Sequence, residues 1–137
     1  MLELDPKTYA IKNADEIDSP TLLVYEERLN ENLRRMVAQA GGAERLCPHV
    51  KTHKLPQVIV RQIELGVRKF KAATIAEAEM CAAAGAPQVL LAHAPVGPRA
   101  ARLVALVRAF PHTGFAVIVD DAEVARHLSG VVSRAGS

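Results

Sequence analysis

Residues 67–93 read VRKFKAATIAEAEMCAAAGAPQVLLAH, and the order of patterns in this stretch decides the fold. VRKFKAAT is a candidate strand, although Arg68, Lys69 and Lys71 weaken that reading. Thr74 followed three residues on by Glu77 is a capping box, in which a hydroxyl and a carboxylate satisfy backbone N–H groups at a helix start. The helix IAEAEMCAAA follows, and Gly85 ends it. VLLAH is the next strand. Strand, helix and strand in so short a space call for a parallel pair joined by a crossover helix.

The same alternation extends in both directions. Downstream, Pro98 with Leu103, Leu106, Val107 and Phe110 predicts a helix stopped by Pro111, and FAVIVD is the clearest strand of the chain. Asp120 and Glu123 repeat the capping arrangement and open a fifth helix, which frays into SRAGS. Upstream, Ser19-Pro20 opens TLLVY, an apolar run of strand length. Leu29, Leu33, Met36, Val37 and Ala40 then recur at helical spacing up to a cap at Gly41-Gly42. Arg45 to Lys51 is read as a strand, and Pro56 starts a helix that ends at Gly66. Strand starts near 21, 46, 69, 88 and 115 give about five βα units.

A parallel sheet with covering helices follows from that order. A complete (β/α)8 barrel takes about 250 residues, against 137 here. On pattern alone an open parallel α/β sheet is therefore preferred, since a partial barrel leaves two strand edges unpaired. No GxGxxG follows a strand and no Walker A loop occurs, so the nucleotide signatures of open sheets are missing.

Composition narrows the function. Half of the residues are apolar, 23% are charged and the net charge is +2, a globular balance without the basic stripe that tracks nucleic acid. No apolar run approaches the roughly 20 residues that cross a bilayer, and MLELDPKTYA lacks a signal-peptide layout. A membrane partner is not expected. Cys47 and Cys81 have no CxxC spacing and suit a reducing, cytoplasmic setting.

One segment carries chemistry. In PHVKTHK, residues 48–54, strand alternation would turn His49, Lys51 and His53 to one face and Val50 and Thr52 to the other. A buried ammonium needs an anionic partner or a chemical role. Glu77 and Glu79 are not a carboxylate pair, because i and i+2 on a helix face different ways.

SPTLLVYEERLNENLRRM, PHVKTHK, ATIAEAEMCAAAGAPQVLLAHAPVGP and VIVDD, in that order and at these separations, resemble the N-terminal half of the D-threonine aldolase and D-serine dehydratase family, relatives of alanine racemase. PHVKTHK is the specific part. The resemblance implies a partial (β/α)8 barrel of the alanine racemase N-terminal type, and places the barrel domain at 19–130 between a lead-in at 1–18 and a tail at 131–137. It implies pyridoxal 5'-phosphate (PLP) as cofactor, with Lys51 forming the internal aldimine. An amine desolvated at the carboxyl end of a barrel strand is a suitable nucleophile. The activity implied is a PLP-dependent lyase acting on a D-β-hydroxy amino acid, of D-threonine aldolase or D-serine dehydratase type. The alternatives are an amino-acid racemase of the same barrel type and a non-catalytic half-barrel fragment.

Cofactor-binding candidates beside Lys51 are His49, His53, Gln62 from the second helix, and Thr74, whose hydroxyl a helix cap also explains. His93 and Arg99 fall at the same rim, while Cys81 among alanines is a small core residue. The family usually has arginine where this chain has Cys47, a change that leaves Lys51, His49 and His53 untouched. The phosphate loop, the ring-stacking tyrosine and the ligands of a divalent metal belong to the family's later portion, so no metal ligand is assigned here. The chain is accordingly expected to be a fragment of a longer protein, with homo-oligomerisation or association through exposed barrel edges.

Overall fold

The computed structural model describes residues 9–135, so the start of the lead-in and the last two tail residues lie outside the described residues. Among the described residues five α-helices form: α1 (Glu26–Ala40), α2 (Pro56–Glu64), α3 (Ile75–Ala83), α4 (Pro98–Ala109) and α5 (Ala122–Arg134). Three strands, β1 (Lys69–Ala72), β2 (Gln88–Leu91) and β3 (Gly114–Val117), make one parallel sheet in the order β1-β2-β3. The register sets Lys69 opposite Gln88 and Gln88 opposite Gly114, and continues to Ala72, Leu91 and Val117.

Alternation explains the lysines that weakened the strand reading of VRKFKAAT. Phe70, Ala72, Val89 and Leu91 turn to one face and are at most 1% exposed, covered by α3. Burying each of the larger ones contributes roughly 1.5–3 kcal/mol. Lys69, Lys71, Gln88 and Leu90 alternate to the opposite, concave face, where Lys69 is exposed and Lys71 half-buried. α4 packs on α3 and α5 on α4, continuing the layer outside the sheet. This is the outer wall of a partial barrel.

The caps hold much as the sequence implies. Gly41 ends α1 in the left-handed region at φ 75°, a conformation that favours glycine, and Pro56 and Pro98 open α2 and α4. At α5 the cap is Asp121 and not Asp120: its carboxylate accepts from the N–H groups of Glu123 and Val124 at 2.8 and 2.9 Å. α5 runs through Arg134, into the stretch read as a tail.

Two expected strands come out differently. Residues 21–25 join no ladder among the described residues, and Leu22 is 72% exposed. An apolar run becomes a strand only where a neighbour supplies hydrogen-bond partners and a face to cover. Tyr25 instead packs edge-on against Tyr9, ring centroids 5.0 Å apart, and donates its hydroxyl to the Tyr9 carbonyl at 2.9 Å. The second, 45–51, is reduced to a single parallel bridge between His49 and Lys71. Arg45 closes a 3-10 turn at Ala43–Arg45, Pro48 has no N–H to donate, and another 3-10 turn takes over at Val50–Thr52. Lys51 therefore stands in a turn, and strand alternation does not align His53 with it.

Candidate active site at the carboxyl ends of the strands

The 50–54 turn sits beside the carboxyl end of β1. Lys71 donates its N–H to the Pro48 carbonyl at 2.9 Å, and the bridge sets His49 level with Lys71 on the concave side. Val50 is fully buried and pins the turn, while Lys51 and Thr52 are exposed. The N–H groups of His53 and Lys54 both donate to the Val50 carbonyl, at 3.2 and 2.8 Å. The residues of this chain leave Lys51 open to water, so the desolvation expected of it is not supplied by them.

Both histidines are held toward the neutral form. At His49 partial burial and then the positive charge of Lys51 lower the imidazole pKa below its ordinary value. Its Nδ1 accepts the Lys51 N–H at 3.3 Å, which leaves the ring proton on Nε2. Burial likewise lowers His53, whose Nδ1 accepts the Leu55 N–H at 3.0 Å and whose buried Nε2 has no partner. Two neutral imidazoles thus flank the lysine in sequence, one of them with an unmet N–H donor.

Thr74 serves as the α3 cap, its Oγ1 accepting from the Glu77 N–H at 3.1 Å. Glu77 answers one residue earlier than a standard capping box, taking the Ala73 N–H at 2.7 Å on Oε2. Its other oxygen lies 3.5 Å from Lys54 Nζ. Glu77 is 6% exposed whereas Glu79 is exposed, which separates the two as the helical spacing requires. Cys81, fully buried beneath this carboxylate, has its thiol pushed up to about 12, by burial first and by Glu77 second.

The remaining candidates divide. Thr74, His93 and Arg99, with Arg102, line one cavity of about 420 Å³ at the rim, and Lys51 is not among its walls. Gln62 is 4% exposed on the packing face of α2, two turns past the Pro56 start, with its Oε1 unpartnered. That places its amide in the packing layer of α2. Lys54, Glu77 and Lys71 went unnoticed as site residues in the sequence. Period-two alternation through VRKFKAAT could have put Lys71 on the concave face; nothing local marks the Lys54–Glu77 contact.

Comparison with known proteins agrees with this geometry. Residues 24–137 match the family model described as alanine racemase, N-terminal domain. The chain is 32% identical over 122 residues to a D-threonine aldolase from Arthrobacter sp., covering 88% of this chain and 32% of that protein. Its fold is similar to the crystal structure of D-threonine aldolase from Filomicrobium marinum, with a TM-score of 0.79 and 31% identity over 90% of this chain and 33% of that one. The chain spans about a third of the length of the relatives it matches.

Proposed function

The chain belongs to the alanine racemase N-terminal domain family, and from that premise we propose that it carries the cofactor lysine of a PLP-dependent lyase acting on a D-β-hydroxy amino acid. The observation that carries the reading is the place of Lys51: it lies in the turn at the carboxyl end of the barrel wall, the end at which barrel enzymes do their chemistry. Similarity to two D-threonine aldolases supports the aldolase type ahead of the dehydratase or racemase type.

The residues present fit an anionic aldehyde. Lys51 is exposed, so a carbonyl carbon can reach its amine once Nζ has shed a proton, and the charges of Lys51 and Lys71 both act on His49. Neutral His49 offers an N–H donor at Nε2. PLP, when bound, supplies an electron sink for a bond broken at the substrate Cα. In the aldolase reading Lys51 would hold the cofactor until the substrate amine takes its place, and the bond then broken would be Cα–Cβ, giving glycine and an aldehyde; in the dehydratase reading the Nζ so freed would take the Cα proton. A divalent metal belongs to the proposal for the longer enzyme, and among the described residues no group of three or more His, Cys, Asp or Glu gathers to hold one.

Among the described residues no helix is long and apolar enough to cross a membrane. Both cysteines are free, which supports a reducing cytoplasm. A second reading, favoured by the open β3 edge and the 44% exposed Ile118 just beyond it, is a half-barrel that pairs with another copy of itself. Sedimentation separates the two, since a dimer that takes no PLP supports the scaffold alone. The functional reading is tested by adding PLP to the chain: a visible band of lysine-bound cofactor is expected, lost in Lys51→Ala. In the longer enzyme, cleavage of D-threonine to glycine is expected to disappear with the same substitution.

A further inference from the structure

Lys54 adopts φ 51°, a left-handed conformation that costs a non-glycine residue free energy unless its surroundings enforce it. It closes the turn that bears Lys51, through its N–H on the Val50 carbonyl at 2.8 Å. From that strained position its Nζ comes within 3.5 Å of Glu77 Oε1. Glu77 is 6% exposed, and a carboxylate so placed requires compensation. It has two partners: Lys54 on one oxygen and the Ala73 N–H on the other, at 2.7 Å. Ala73 directly follows the last residue of β1. One anion at the first turn of α3 therefore joins the end of a strand to the end of the lysine turn.

We propose that Glu77 is the positioning residue for Lys51, clamping the 50–54 turn to the end of β1 through Lys54 and so fixing the backbone from which Lys51 projects. The proposal rests on the reading of Lys51 as the cofactor lysine and adds what holds it in place. A carboxylate that served only as a helix cap would leave the turn indifferent to its charge. The Ala73 contact needs an acceptor; the Lys54 contact needs an anion. Glu77→Gln keeps the first and removes the second. Lys54→Met removes the same contact from the other side, at a side chain that is 64% exposed.

Two measurements on the 137-residue chain test this. The first is amide hydrogen exchange without PLP. The N–H groups of Lys51, His53, Lys54 and Leu55 are all bonded within the turn. In Glu77→Gln and in Lys54→Met they are expected to exchange about tenfold faster, while Ala78 in α3 and the β2 amides keep their rates. The second is the rate at which PLP with borohydride modifies Lys51. It is expected to fall about tenfold in each variant, no further in the double variant, not at all in Glu79→Gln, and to recover in Lys54→Arg. Turn amides unchanged in Glu77→Gln, or single effects that add in the double variant, overturn the clamp. Failure of the wild-type chain to take PLP at Lys51 counts against the functional reading instead, and exchange then decides the clamp alone.

Discussion

His49 and Lys71 face each other across a single parallel bridge, with the Lys71 N–H on the carbonyl of the preceding Pro48 at 2.9 Å. That one pairing fixes where PHVKTHK lies. It docks the segment on the free edge of β1, aims His49 to the concave side and leaves Lys51 at the carboxyl-end rim. Without it, a sequence with one proline and a 3-10 turn would have no ladder to hold it.

The outer face of the sheet carries the core. Phe70 is fully buried against α3, so Phe70→Ala is expected to cost about 3–5 kcal/mol in urea unfolding. A loss under about 1 kcal/mol would mean that the face is not packed as described.

The start of α5 separates two neighbouring aspartates. Asp121 accepts two helix N–H groups whereas Asp120 caps nothing. Asp121→Ala is expected to destabilise by about 1 kcal/mol, and Asp120→Ala by less than about 0.5 kcal/mol. Equal effects in thermal melts would return the cap to Asp120.

The two thiols differ in reach. Cys47 is exposed on the concave side, and Cys81 is fully buried with a pKa of about 12. Native protein at neutral pH is expected to take one equivalent of a thiol reagent, at Cys47, and a second only after denaturation. Rapid labelling of Cys81 in the native state would contradict the packing beneath α3.

Acid should weaken the fold partly through His53. Burial holds its folded pKa below the ordinary value, whereas the unfolded chain takes up a proton near about 6.5. Below that pH the unfolded state binds more protons, so stability is present above it and is lost as pH falls. His53→Gln is expected to flatten the dependence of the urea midpoint between about pH 7.5 and 5.5. An unchanged slope would show that His53 is not buried neutral.

Helices were the legible part of the sequence, because their signals are local: Thr74 with Glu77, Pro98, and Gly85 at φ 87° each act within one turn. Strands were less so. TLLVY and VLLAH look alike in composition, but only the second has neighbours on both sides, and a ladder partner is not written in the strand itself. The expectation at Lys51 came from its motif, and the structure sets that residue in an exposed turn in place of the expected strand. The contact that anchors its turn was not legible, since it joins residues 54 and 77 through a left-handed backbone that no local pattern announces.

Borohydride trapping of PLP followed by peptide mapping reads the reactivity of each amine on the chain. One reduced pyridoxyl group per chain is expected, at Lys51, with Lys54, Lys69 and Lys71 unmodified at stoichiometric cofactor. Label spread evenly over the surface lysines, or found at Lys71 in place of Lys51, would contradict the reading of Lys51 as the cofactor lysine.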